Sequence, residues 1–263
     1  SGSLLGKFKG TLKGVNINLL DGSILHGNVQ GHLNARWEEG LSLRGAFQAR
    51  NLNPAAITPD WDGKINLDLE GAFRWPKEKS PEGRLSACLL KSHLRGQQLT
   101  GDIELHMEKS TLRIARGDLK GKGFDLFARG VLQERVIFHA DISDLSGLIP
   151  GTRGSFLAKG WVRWRDQHLA MDFSGKGKDL FIKGIELGAA DLSARFDERE
   201  EAPGELKGRF LKVAYKSFRI DSVTLDASGK LSRHKMIVAA RSPDGQIKST
   251  FEATYSREGW RGE

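Results

Sequence analysis

Lys64-Ile65-Asn66-Leu67-Asp68-Leu69-Glu70-Gly71-Ala72-Phe73-Arg74-Trp75 decides the fold class. Ile65, Leu67, Leu69, Phe73 and Trp75 share one parity with Gly71. Lys64, Asn66, Asp68, Glu70 and Arg74 share the other, interrupted only by Ala72. Successive side chains of a strand point to opposite faces, so this segment has one oily and one charged face. A helix would scatter the same residues around its circumference. Asp62-Gly63 precedes the run and Pro76 stops it.

The same grammar recurs on both sides. Upstream, Val15, Ile17 and Leu19 alternate with Asn16 and Asn18, and Asp21-Gly22 reads as a turn. Val29, Gly31, Leu33, Ala35 and Trp37 form a run, as do Leu41, Leu43, Phe47 and Ala49. Downstream come Leu85-Ala87-Leu89, Ile103-Leu105-Met107, Phe124-Leu126-Ala128, Val136-Phe138-Ala140-Ile142, Phe156-Ala158 and Val162-Trp164. Leu169-Met171-Phe173, Leu180-Ile182 and Leu192-Ala194-Phe196 follow, then four longer runs beginning at Leu206, Phe218, Lys235 and Ile247. Glu198 to Glu205 is the most polar stretch and reads as a loop. Tight turns between short strands predict an antiparallel meander of roughly 18 to 20 strands. Helical turns are expected only at Asn53–Thr58 and Asp144–Ile149. In the first, Asn53 caps and Pro54 takes the first helical position.

Composition sets the outer bounds. The chain has 263 residues, formal net charge +8 and a pI near 9.6. Hydrophobic residues are 38% and charged residues 28%, which excludes a disordered chain and a membrane helix bundle. The 32 glycines show no triplet period, so collagen is excluded. No apolar run approaches about 18 residues, the length a spanning helix needs. Lysines and arginines alternate with acids along strands and form no basic block, so nucleic acid is not an expected partner. Cys88, on an apolar-rich segment, is the sole cysteine and has no internal disulfide partner. Ser1-Gly2-Ser3 reads as a cloning remnant, leaving residues 4–263 as a single elongated β-repeat domain.

Within it, approximate units 4–139 and 140–263 are expected. Ala49 and Ala140, Pro59 and Pro150, and Gly63 and Gly154 are all separated by the same 91 positions. Trp75 and Trp164 are 89 apart, which places a loss of two residues within the strand. The two tryptophans are expected at equivalent places in stacked units.

No catalytic constellation emerges. Histidines 26, 32, 93, 106, 139, 168 and 234 lack metal-ligand spacing and read as outer-face residues. Gly121-Lys122-Gly123 lacks the residues of a phosphate loop and reads as a turn. Asp141, Asp144, Glu186 and Asp191 are not brought together by any spacing. No cofactor, no metal and no enzymatic activity are expected.

The phrases Asn51-Leu52-Asn53-Pro54, Pro59-Asp60-Trp61-Asp62-Gly63, Asp144-Leu145-Ser146 and Ile149-Pro150-Gly151 resemble the TamB family of the AsmA-like superfamily. The run from Gly154 to Phe173, around Gly160-Trp161-Val162-Arg163-Trp164, does so too. The resemblance covers most of the chain. It implies an elongated antiparallel sheet folded lengthwise, taco-like, around an apolar groove. It also implies an interior periplasmic section of an inner-membrane-anchored Gram-negative protein. Such proteins reach an outer-membrane partner of the Omp85 class, TamA-like, through parts of the chain outside this section. They are implicated in moving phospholipid outward and in assembling outer-membrane β-barrel proteins. The expected groove residues, all on the oily parity of their strands, are Ile65, Leu67, Leu69, Ile103, Leu105, Phe138, Phe156, Val162, Met171, Phe173, Leu192, Phe196, Leu225 and Val238. They would contact phospholipid acyl chains. A strand-pairing chaperone and a structural scaffold without lipid conduction are the alternatives.

Overall fold

The structure is a computed structural model and describes residues 2–198, 203–230, 233–256 and 259–262. The chain divides into two compact units, residues 1–132 and 133–263. The first contains β1 (Ser3–Thr11), β2 (Gly14–Ile24), β3 (Gly27–Arg36), β4 (Gly40–Leu52), β5 (Gly63–Pro76), β6 (Glu82–Leu94), β7 (Gln97–Glu108), β8 (Thr111–Gly121) and β9 (Phe124–Val131). The second contains β10 (Arg135–Ile142), β11 (Thr152–Arg165), β12 (His168–Ile182), β13 (Ile185–Asp197), β14 (Pro203–Tyr215), β15 (Phe218–Lys230), β16 (Arg233–Ser242), β17 (Gly245–Ser256) and β18 (Gly259–Gly262). Within each unit every strand pairs antiparallel with the next. The all-β, antiparallel reading holds, and the Lys64–Trp75 run lies inside β5.

The helical inserts are shorter than the sequence predicts. Each is a single 3-10 turn: η1 (Pro54–Ala56) between β4 and β5, and η2 (Leu145–Gly147) between β10 and β11. Asn53 caps η1 by accepting from the Ala55 N–H at 3.0 Å, and Asp144 caps η2 by accepting from the Ser146 N–H at 2.9 Å. The turns close alike, through Ile57 N–H to the Pro54 carbonyl and Leu148 N–H to the Leu145 carbonyl. Pro59 and Pro150 occupy the same step of the bend that follows each turn.

Three local readings change. The missing two residues fall between η2 and β11, not within the strand, because β5 and β11 are both 14 residues long. Trp75 and Trp164 are each penultimate in their strands. Gly63, however, opens β5, whereas Gly154 sits at a register shift inside β11 with φ +98. Asp21-Gly22 is not a turn. β2 runs through it to Ile24 with a register shift between Leu19 and Ser23, and the chain reverses at Leu25-His26, where φ is 49 and 61. The polar stretch from Glu198 is shorter than read, since Pro203 already opens β14, and residues 199–202 lie outside the described residues. Pro76 and Pro203 stand at strand ends, where a missing N–H breaks no interior ladder bond.

Candidate functional site

Register turns the parity of single strands into ladders that cross a whole unit. In the 1–132 unit, Phe8, Ile17, Leu33, Gly45, Gly71, Leu85, Leu105 and Ile114 are successive cross-strand partners from β1 to β8. The adjacent row runs Leu19, Gly31, Phe47, Leu69, Ala87, Ile103 and Gly117. A bulge explains the phase change within β8. The register shifts between Glu104 and Leu105, so Ile114 and Gly117 share a face despite their odd spacing. In the 133–263 unit the rows are Phe138, Gly160, Phe173, Ala194, Leu206, Ala227 and Met236, and Ala140, Ala158, Gly175, Leu192, Gly208, Leu225 and Val238. A third row joins Val136, Val162, Met171 and Phe196. Each unit therefore carries one continuous apolar face.

The predicted groove residues distribute over these two faces. Leu67, Leu69, Ile103 and Leu105 lie on the first, with Leu67 opposite Leu89. Ile65 pairs with Leu52 beyond a register shift at the same end. Phe138, Phe156, Val162, Met171, Phe173, Leu192, Phe196, Leu225 and Val238 lie on the second. None of them is fully buried, and Ile103 is 47% exposed. The fully buried hydrophobics are mostly alanines.

Two hollows open on these faces. A cavity of about 380 Å³ in the first unit is lined from β3 to β8 by Leu33, Phe47, Leu69, Phe73, Leu85 and Leu105, among others. Six strands laid flat would span about 24 Å, so one hollow touching them all makes the face concave across the strands. Its floor is glycine. A Cβ on Gly71 would stand 3.1 Å from Leu85 Cδ1, and one on Gly45 3.2 Å from Leu33 Cδ1, so bare backbone lets the leucines lean over. In the second unit a cavity of about 270 Å³ is lined by Ala194, Phe196, Leu206, Ala227, Gly229 and His234. Sequence reasoning missed Leu33, Phe47, Phe73, Leu85 and Met107 as lining residues. Their signal was present, since each sits on the oily parity of its own strand.

Part of the second face is closed. Leu145 of η2 is buried against Leu180 and Ala190, with Ile142, Phe156, Leu187 and Phe210 packed around them. Phe156, predicted as a groove residue, thus packs beneath a plug.

The opposite faces are polar. Asp68, Cys88, Asp102 and Asp118 form one row in the first unit. Directly opposed carboxylates repel, and Arg116 relieves Asp102 and Asp118 by reaching both, at 3.0 and 2.8 Å. Cys88 is therefore not on the apolar face, despite its leucine-rich neighbours. A hydrogen bond with Asp102, together with burial, holds its thiol above the ordinary value, which suppresses the reactive thiolate. His32, His93, His106, His139 and His168 keep polar parity and His26 lies in a turn, but His234 lies on the apolar side, lining the second hollow. Glu186 pairs with Arg153 at 3.0 Å, Asp191 with Lys176 at 3.9 Å, and Asp144 caps η2, so these carboxylates serve separate local partners. Among the described residues no group of three or more His, Cys, Asp or Glu could hold a metal ion.

Residues 2–263 match the family model described as TamB, N-terminal domain. The chain belongs to the TamB family. No solved structure matches it. Membership makes it a section of a TamB-family envelope protein, and the part of the family it represents is the N-terminal domain. No helix among the described residues of this TamB section is long and apolar enough to cross a membrane.

Proposed function

We propose that the apolar faces of the two units hold phospholipid acyl chains. In this reading the chain is a periplasmic section of an envelope-spanning TamB protein that passes phospholipid toward the outer membrane. It thereby supports outer-membrane protein assembly, with an Omp85-class partner engaged through other parts of the protein. One observation carries the reading: large apolar side chains line up across consecutive strands, yet none of the groove candidates is fully buried. A sandwich packed shut buries such side chains, and continuous exposed apolar surface beyond a few hundred Å² is rare unless it is used. Each methylene transferred from water to such a face gains about 0.8 kcal/mol, so tails are held without specific headgroup contacts.

Photo-crosslinking residues at Leu67, Leu69 or Phe173 are expected to capture lipid in cell envelopes. Leu67→Asp or Phe173→Glu is expected to abolish capture while the chain stays folded, because the charge points into an open trough. If the charged variants unfold and no lipid is captured, the positions belong to a closed core and the scaffold reading replaces this one.

A further inference from the structure

The first unit carries a second surface that the apolar face does not explain. In a meander, alternate connections fall at one end. The β1–β2, β3–β4 and β5–β6 turns therefore share an end, and hydrogen bonds stitch them together. The Trp37 backbone N–H donates to the Lys13 carbonyl at 3.1 Å, and its indole N–H donates to the Leu12 carbonyl at 2.8 Å. The Lys77 N–H donates to the Glu39 carbonyl at 3.4 Å. The turns thus form a tied rim, not three loose loops.

Four large apolar side chains stand out on that rim. Leu12 is 97% exposed, Trp37 45%, Leu41 38% and Trp75 56%. Leu41 and Trp75 are direct cross-strand partners. On the polar side of the same turns, Lys9, Lys13, Arg36 and Arg74 line a hollow of about 770 Å³. Arg44 and Arg84 line the adjoining one of about 670 Å³. Lys13 is paired with Glu38, and Arg74 lies 4.0 Å from Glu82. Arg36, Arg44 and Arg84 make no ion pair among the described residues. The remaining carboxylates of these hollows, Glu39 and Glu108, leave the cations in excess.

We propose that the rim of Leu12, Trp37, Leu41 and Trp75, with Arg36, Arg44 and Arg84 beside it, docks edge-on onto a bilayer surface rich in anionic phospholipid. Indoles settle at the depth of lipid headgroups, and neighbouring arginines and lysines reach the phosphates while their stems stay on apolar surface. Each cation near an anionic leaflet adds attraction that salt screens. A protein partner fits less well. Four partly exposed side chains of this size offer roughly 500 Å², short of the ~800 Å² per partner that a stable protein interface buries. A bilayer accepts a shallow row without shape complementarity. The docking does not depend on the groove: Leu12, Trp37, Leu41 and Trp75 are not among the residues assigned to acyl chains, although Arg44 and Arg84 also border the apolar hollow.

The test is co-sedimentation of the 263-residue chain with phosphatidylcholine vesicles, plain or doped with about one third phosphatidylglycerol. The chain is expected to partition onto the anionic vesicles and to be released by salt. The double variant Leu12→Gln/Trp75→Gln is expected to lose at least about tenfold in partitioning. The triple variant Arg36→Gln/Arg44→Gln/Arg84→Gln is expected to lose the preference for anionic lipid. Phe218→Gln, at a side chain 69% exposed in the other unit, is the control and should bind like the parent. Circular dichroism confirms that each variant is folded. The proposal is overturned if the parent ignores anionic vesicles, if Leu12→Gln/Trp75→Gln binds undiminished, or if Phe218→Gln loses as much. Leu67→Asp separates the two proposals, since it should lose acyl capture and keep vesicle docking.

Discussion

The inserts at Pro54–Ala56 and Leu145–Gly147 are the same backbone put to two uses. Both are capped 3-10 turns closed by matching hydrogen bonds, 91 positions apart. Yet η1 buries none of its residues, whereas η2 buries Leu145 and Gly147. The difference begins with one side chain: proline stands where η2 has leucine, and its ring lacks the reach by which Leu145 packs on Leu180 and Ala190 in its own unit. The closures differ too. Asn53 Oδ1 also accepts from the Gly63 N–H at 3.2 Å, while its amide donates to Asp62 at 2.8 Å. Asp144, with no N–H to give, leaves that task to Thr152, whose hydroxyl donates to the Ile149 carbonyl at 2.8 Å. A shared turn geometry therefore does not imply a shared role. One insert spaces two strands and the other seals part of an apolar face.

The largest expected effect is at the seal. Leu145→Ala should destabilise the 133–263 unit by about 3 kcal/mol, from lost transfer energy and the cavity left behind, whereas Pro54→Ala should cost below about 1 kcal/mol. Urea unfolding of both variants checks this, and equal losses would erase the distinction between plug and spacer.

Next is Asn53→Ala, which strands two N–H groups and should cost about 1–2 kcal/mol. Asp144→Ala strands one backbone donor and should cost about 1 kcal/mol. If the order reverses in the same unfolding series, the double duty assigned to Asn53 is wrong. Thr152→Val should cost about 1 kcal/mol, because its hydroxyl gives up the Ile149 carbonyl at 2.8 Å and the Leu145 carbonyl at 3.2 Å. The corresponding closure in η1 should be untouched, as hydrogen exchange at Gly63 would report.

The smallest effect is a pH dependence confined to one insert. The Ser146 hydroxyl and then its backbone N–H hold the Asp144 carboxyl below its ordinary 3.8. A carboxyl lowered in the folded state adds stability that is full above the ordinary value. That stability is lost as pH falls through the folded one. Acidification below 3.8 should therefore speed exchange at the Leu148 amide while Ile57, beside the non-titrating Asn53, keeps its protection. Asp144→Asn should remove the contrast. Acid-induced exchange that persists in that variant would assign the effect to other carboxylates.

The sequence showed each strand because alternation is local: Ile65, Leu67 and Leu69 declare a face without reference to any neighbour. The inserts were legible for the same reason, through Asn53-Pro54 and Asp144. Legibility failed where partners were distant. Nothing near Leu145 announces that Leu180, Leu187 and Phe210 will gather under it, because the register of β12, β13 and β14 decides that. Bulges were the second blind spot. Asp21-Gly22 has turn chemistry, but the backbone uses it to absorb a register shift, and Ile114 and Gly117 share a face only because β8 carries another. Cys88 follows its own parity to the polar row, opposite Asp68 and Asp102, although Leu89 and Leu90 stand beside it. His234 was misplaced because a polar residue on oily parity breaks the rule on which the reading rested. For the site, the oily parity of each candidate was visible. The hollows, lined by Leu69, Leu105 and Phe196 among the candidates, were not, since the first depends on glycines of neighbouring strands falling side by side.

Strictly sequential pairing has a consequence for growth. Among the described residues of a unit, each strand's ladders run to its chain neighbours, so a hairpin can be gained or lost internally without re-registering the rest of that unit. Such changes are safe in pairs. Two strands added together return the chain to the same end and leave Trp37 and Trp75 on one rim. A single added strand would send every later turn to the opposite end and part those indoles from Leu12. Length in this architecture is thus free to vary in steps of two, and the placement of every end-specific feature is conserved by counting alone.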